Sequence, residues 1–288
     1  MADLAYTTAT WRGLALGRGG PYLFKPGGLL GWLSLPPARK VTAPRSGGHG
    51  NAKTGVWMGG RTVTMAGFVE ATANRDSVVR TFRGTMIPNR DPYDTEELQI
   101  SMAGLTTSAF GQLVAADIEP AEMWGSGGFT WKAQWEFDDP FRYGPERTAN
   151  AQLAGAGVIG LTLPDTLPDA FPAKSVGVGF VVNNPGHAPA KAVYTLTGQW
   201  TNPGILLTAT GQPQRQVTWP VALALGEYLT VDTDDGNAYL VGSPRAPKAG
   251  SDLIGDLALQ PGDNTIQYLG DPGSTGASIT AVFRDTYW

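Results

Sequence analysis

The sequence predicts a mainly β protein of two domains, and three observations carry that prediction. Apolar and polar residues alternate with a period of two in both halves of the chain, the mark of strands with one buried face. Glycine makes up 39 of 288 residues, nearly twice the usual share of ~7%. Turn chemistry recurs between the alternating runs, most clearly at Asp235-Gly236.

Length and composition narrow the function classes. A chain of 288 residues suffices for about two ordinary domains. It has no cysteine, which excludes disulfides, thiolate chemistry and thiolate zinc sites. Any metal site would rest on carboxylates and two histidines. The opening MADLAYTTATWRG lacks the basic and apolar regions of a secretory leader, and no run is apolar enough to span a bilayer, so no membrane insertion is expected. Net charge is −4, and the basic residues read as scattered, which argues against a nucleic-acid footprint. Charged residues are only 16%, against about 25% in typical soluble domains. A surface short of charge is often one that meets other protein.

In the N-terminal half, RTVTMAGFVEAT sets Val63, Met65 and Val69 against Thr62, Thr64 and Glu70, a half-buried strand. NRDSVVRTFRGTM places Val78, Val79, Phe82 and Met86 at helical spacing, with Asn74 or Asp76 available as cap. It predicts one short amphipathic helix lying across a sheet. FTWKAQWEFDDP returns to period two, with Trp131, Ala133, Trp135 and Phe137 on one face, and stops at Asp138, Asp139 and Pro140. A slip of one residue there would expose two tryptophans.

After DDPFRYG the aromatic residues thin out, and proline-punctuated LPDTLPDAFPAK follows. The expected domains are therefore 1–144 and 145–288, cut near Gly144. RQVTWPVALALGEYLTV puts Val217, Trp219, Val221, Leu223 and Leu225 on one face. Pro220 within it marks an edge strand or a bulge, because it cannot donate to a ladder. Asp235-Gly236 predicts a type I′ hairpin. PGDNTIQYLG and ASITAVFRDTYW add two strands, the latter with Ile279, Ala281 and Phe283 facing one way. No internal repeat or coiled-coil heptad appears, so solenoid and propeller readings lose support.

Sites for chemistry fail on spacing. PRSGGHGNAKTGVW holds four glycines, two basic residues and His49. It lacks the G-x-x-x-x-G-K-[ST] order of a phosphate loop and leads into a strand pattern rather than a helix. His49 has no serine elbow nearby, and its only histidine companion, His187, is distant in the chain. DTDDGN, counted from Asp232, puts Gly236 fifth and Ser243 twelfth, which is not a calcium loop. Asp138 and Asp139 are adjacent, so on a strand they face opposite ways and cannot flank one substrate. Trp131, Trp135 and Trp219 lie on apolar phases and read as core. Trp11, Trp32, Trp124, Trp200 and Trp288 are not placed by pattern.

Several motifs resemble, in order and spacing, the distal tail protein (Dit) family of long-tailed bacteriophages. In the first half these are WRGLALGRGGPYLF, PRSGGHG followed by GGRTVTMAGFVEA, and WEFDDPFRYG. In the second half they are VNNPGHAPAKAVYTLTGQWTNPGI, LGEYLTVDTDDGNAYLVGSPR, LALQPGDNTIQYLG and ASITAVFRDTYW. Together they cover most of the chain.

The resemblance implies an N-terminal β-sandwich with one short helix and an extended hairpin, and a C-terminal galectin-like sandwich. It further implies a hexameric ring of first domains joining the tail tube to the tip or baseplate. Second domains would project toward receptor-binding proteins or host glycans, and genome would pass through the ring without specific binding. Such a protein is made in the bacterial cytoplasm, resides at the tail tip of the virion, needs no cofactor and catalyses nothing. Under this reading Arg45, Gly48, His49 and Gly50 form a turn at a subunit interface. The rival reading is a carbohydrate-binding module with an aromatic platform on the second sandwich, for which Trp124 and Trp200 are the candidate contacts.

Overall fold

Alternating patterns become paired strands wherever one face can be buried. The computed structural model describes residues 6–44, 51–70, 74–91, 93–119, 125, 127–152, 179–272 and 277–288. Antiparallel strands dominate it, and contacts divide the chain into two compact units: Met1–Pro145 with Trp288, and Glu146–Tyr287.

The first unit contains β1 (Thr8–Trp11), β2 (Leu14–Gly17), β3 (Leu23–Leu30), β4 (Ala38–Pro44), β5 (Asn51–Met58) and β6 (Arg61–Val69). These are followed by α1 (Arg75–Thr85), β7 (Glu96–Met102), β8 (Leu105–Glu119) and β9 (Phe129–Phe137). β10 (Arg142–Gln152) carries the chain into the second unit. One layer runs β2-β1-β7-β8, and the other β8-β9-β6-β3. β8 serves both. Its start pairs with β7, its later part with β9, and the register slips between Leu113 and Ala115. A bulge of this kind bends a strand and lets it leave one sheet for the next.

The core between these layers is aromatic. Trp11 of β1 meets Trp135 of β9 edge to face, with ring centroids 5.9 Å apart. α1 lies where its spacing predicts: Phe82 is 5.8 Å from Trp131 and 5.5 Å from Tyr22, and the Tyr22 hydroxyl donates to the Val78 carbonyl at 2.8 Å. Asn74 takes the N-cap position, but its side chain makes no capping bond. Its carbonyl instead accepts from the amides of Ser77 and Val78. On β6, Gly67 permits close approach, since a Cβ there would stand 1.9 Å from the Leu23 carbonyl oxygen and 2.7 Å from the Trp131 ring.

The second unit contains β11 (Phe180–Asn184), β12 (Ala192–Thr197), β13 (Trp200–Ala209), β14 (Arg215–Thr218) and β15 (Ala222–Leu223). Then come β16 (Tyr228–Asp232), β17 (Asn237–Leu240), β18 (Ser243–Pro244), β19 (Gly262–Pro272) and β20 (Ser278–Tyr287). One sheet runs β18-β17-β16-β12-β20. The other runs β11-β19-β13-β14, with β15 also on β13. Tyr194, Trp219, Val231, Ile266 and Ile279 share the core. Two fully buried amides tie its loops. Asn184 donates to the carbonyls of Ala188 and Leu259, and Asn264 to those of Gln260 and Gly262.

Two expectations about the second unit are corrected. The Asp235-Gly236 hairpin exists, but its turn is not type I′. Asp232 pairs with Asn237 across a four-residue loop in which only Gly236 has positive φ. The Asp232 and Asp235 carboxylates accept from the amides of Asp234 and Asn237, both at 2.8 Å, so local side-chain bonds select the longer loop. Leu225 does not share the face of Trp219. It is 79% exposed, because the strand ends at Thr218 ahead of Pro220, Val221 bonds back to the Trp219 carbonyl, and the alternation loses its phase. Trp219→Ala should therefore cost ~3–5 kcal/mol, and Leu225→Ala less than ~0.5 kcal/mol, in chemical denaturation monitored by circular dichroism.

Candidate interaction surface

The most distinctive construction in the first unit begins at Arg61, the first residue of β6. Its side chain is buried, at 2% exposure, with no carboxylate partner among the described residues. Nη1 donates to the carbonyls of Gly31, Trp32 and Ser34 at 2.7–2.8 Å, and Nη2 to that of Pro140 at 3.0 Å. Burial first, and then the nearby Arg142, push the guanidinium down to about 10. It stays charged at neutral pH, and charged donors make stronger bonds to carbonyls than neutral ones. Gly31 lets this loop close over the strand: its φ is +85°, and a Cβ would meet the Thr62 carbonyl oxygen at 2.0 Å.

The clamped loop turns Trp32 inward and Leu33 outward. Trp32 is buried, with the Arg142 guanidinium 5.8 Å from its ring centroid, whereas Leu33 is 62% and Leu35 68% exposed. Leu33, Tyr6, Met102, Leu105 and Arg142 border an open, largely apolar cleft of about 590 Å³. The β7–β8 turn supplies its far wall. Ala103 and Gly104 both have positive φ, 51° and 83°, in a two-residue hairpin closed by Met102 and Leu105, the type I′ geometry.

Beyond Leu35 the chain enters a separate two-stranded ribbon, β4 with β5, whose ladder runs from Ala38 opposite Met58 to Pro44 opposite Asn51. Neither strand pairs with any other described strand. Trp57 is 63% exposed and sits opposite Arg39 in register. Exposed leucines, an exposed tryptophan and an apolar cleft on one run of chain have the composition of a protein–protein contact, where aromatic side chains are enriched.

The sequence-derived candidates fall differently. Arg45, Gly48, His49, Gly50 and Trp124 lie outside the described residues. Trp200, a candidate sugar contact, is instead a core residue of the second unit. It is 1% exposed, its indole donates to the Leu269 carbonyl at 3.0 Å, and Tyr268 stacks edge-on at 5.7 Å. Its ring faces are covered by protein, so it offers no platform. Trp131, Trp135 and Trp219 are buried, as their phases predict, and Trp11 and Trp32 join them.

No arrangement of acid, base and nucleophile is gathered around the remaining polar candidates. The Asp139 carboxylate accepts from the Phe141 amide and the Tyr143 hydroxyl. His187 packs edge-on against Tyr287. Among the described residues no group of three or more His, Asp or Glu could hold a metal ion, and no helix is long and apolar enough to cross a membrane. A polar groove of about 360 Å³ in the second unit is bordered by Gln214, Gln216, Lys248 and Asp252, with no aromatic side chain in its walls.

Sequence reasoning did not single out Arg61 or the apolar cleft. Arg61 is one basic residue at a strand start, and Leu33 and Leu105 lie in short segments without periodicity. Because Arg61 satisfies carbonyls from two separate connections, Arg61→Met should destabilise the protein by about 3 kcal/mol or more. Leu33→Ser should change stability by less than ~0.5 kcal/mol. Urea titration of both variants checks the pair.

No protein-family model matches the chain, and no curated protein matches it. Solved structures do. The Dit protein (gp 19.1) of phage SPP1, described as a paradigm of the hub adsorption apparatus in phages infecting Gram-positive bacteria, aligns over 98% of this chain and 99% of its own. The TM-score is 0.61 and the identity 14%. Two structures of the phage p2 baseplate in its activated conformation, with calcium and with strontium, align over 96% of this chain and 97% of theirs. Their identities are 8% and 10%, with TM-scores of 0.41. The resemblance to distal tail proteins holds at the level of fold: the chain has the mainly β fold of the SPP1 Dit protein across both of its units.

Proposed function

We propose that this chain is a structural protein of a bacteriophage tail, a distal tail subunit whose activity is assembly rather than catalysis. The observation that carries the reading is the alignment with SPP1 Dit over nearly the full length of both chains. A fold shared through two successive units is harder to reach by chance than one sandwich alone. In this reading six copies close into a ring through their first units, between the tail tube and the tip or baseplate. Such a ring needs two different, complementary patches on each copy, because neighbours related by a rotation meet head to tail. The cleft, the exposed leucines and Trp57 are available for that use.

The second unit, read as a galectin-like sandwich, carries contacts to receptor-binding proteins or host glycans, and genome passes through the ring without specific binding. The carbohydrate-module reading loses support from the burial of Trp200 and from the lack of aromatic walls in the polar groove. Purified protein imaged by negative stain, with its mass measured by light scattering, should give closed rings of six copies. A monomer at every concentration and salt, together with absence of the chain from the tails of particles that encode it, would remove the proposal.

A further inference from the structure

The edge of a sheet is a row of unpaired amides and carbonyls, with which a second copy of the same chain can pair. The five-stranded sheet of the second unit ends on β14. β13 covers one side of that strand, in a register that sets Gly204 opposite Thr218 and Leu206 opposite Gln216. The backbone groups of Gln216 and Thr218 turn the other way, and residues 248–252 meet all four of them. The Asp252 amide donates to the Gln216 carbonyl at 2.9 Å, and the Lys248 amide to the Thr218 carbonyl at 2.7 Å. In return the Gln216 amide donates to the Asp252 carboxylate at 2.7 Å, and the Thr218 amide to the Ser251 hydroxyl at 3.2 Å.

These residues are not a further strand. A strand beside β14 would meet Gln216 and Thr218 with residues two apart. Here the two carbonyls are met from positions four apart, and the Ser251 amide closes a turn onto the Lys248 carbonyl at 3.1 Å. Gly250 supplies the positive φ of +88° that this turn requires. The difference decides what lies outside. A strand would cover one edge and expose another, whereas a turn whose side chains stand in for ladder partners has no outward ladder of its own. The turn is fastened on its C-terminal side. Ile254 and Leu257 of the 3-10 turn Ile254–Leu257 are buried in the core, and Arg215 of β14 reaches Asp252 and Asp256 at 3.4 and 3.5 Å. The other sheet of this unit is blunted too, since it ends on the two-residue β18, whose Pro244 has no amide to donate.

We infer that residues 248–252 are an edge guard: they end the sheet at β14, and once they are lifted the β14 edge of one copy pairs with that of another. The occupant is a second copy of this chain because two β14 edges are self-complementary. Set antiparallel across a two-fold axis, each offers the amides and carbonyls that the other lacks. The guard matters most where copies are held together, because tethering raises their effective concentration to about millimolar. Edge pairing too weak to form between free chains would form there. The inference stands apart from the ring reading, which concerns the first unit.

The test is Ser251→Ala with Asp252→Ala in the full chain, compared with the parent by analytical ultracentrifugation over a range of concentrations and by hydrogen–deuterium exchange. At low concentration the Gln216 and Thr218 amides of the variant should exchange about tenfold faster than the parent's or more, because their acceptors are gone. As concentration rises the variant should reach at least about twice the mass of the parent species, and the same two amides should regain protection. Adding Gln216→Pro, which removes an outward donor, should return the mass to the parent's without restoring the guard. Near-ultraviolet circular dichroism reports the tryptophan cores. Where the double variant fails to fold, Ser251→Ala alone, which removes one acceptor, should give the same pairing at higher concentration. A folded variant whose amides are released but whose mass follows the parent's at every concentration would overturn the inference. So would amides that stay protected at low concentration, or pairing that survives Gln216→Pro. Each variant is scored against the parent's own mass, so these outcomes are read whether or not the parent forms rings.

Discussion

A single buried guanidinium holds together the part of the first unit that matters most for its surface. Arg61 sits at the start of β6 and bonds carbonyls from the loop after β3 and from the link between β9 and β10. No carboxylate among the described residues competes for it, and its donors go to backbone carbonyls. The consequence is geometric. The loop is pinned with Trp32 inside and Leu33 outside, and the ribbon that follows leaves the unit from a fixed base. Removing the charge would release the connection that orients the exposed leucines, rather than merely one side chain.

Aromatic packing supplies the bulk on which that clamp acts. Trp11, Trp131 and Trp135 come from both layers of the first unit, and β8 bends at its bulge to join those layers. In the second unit Trp200 and Trp219 occupy equivalent structural roles as core anchors, and buried asparagines replace the clamp by satisfying loop carbonyls. Each unit thus fixes its connections with a polar side chain that sees only backbone. Among the described residues the clamping side chains of both cores are spent on backbone groups.

Legibility in the sequence followed the strength of the local signal. β6, β9 and β20 were readable because each alternates over eight or more residues with one face fully buried, and α1 because its spacing differs from theirs. Turns were poorly readable. The one Asp-Gly pair singled out forms a four-residue loop, whereas two-residue hairpins with both φ values positive form at Arg12-Gly13, Ala103-Gly104 and Val241-Gly242. Arg, Ala and Val are poor residues for that conformation, and tertiary bonds compensate. Arg12, for example, is held by Glu96, Asn89 and the carbonyls of Thr85 and Ile87, and the same contact keeps Glu96 below the usual carboxylate range. Leu225 was misplaced because a proline resets strand phase. The cleft was hidden for a related reason: exposed Leu33, Leu35 and Trp57 follow no period.

The proposed ring requires the first unit to meet a neighbouring copy through its exposed leucines and Trp57. Hydrogen–deuterium exchange on the dissociated and the associated chain reads that contact directly. Amides of Arg39–Val41 and Gly55–Trp57 that point away from the hairpin ladder should exchange freely in the dissociated chain and become protected on association, while those of β6 and β9 stay protected throughout. Equal exchange of the ribbon amides in both states, with association verified by mass, would contradict it.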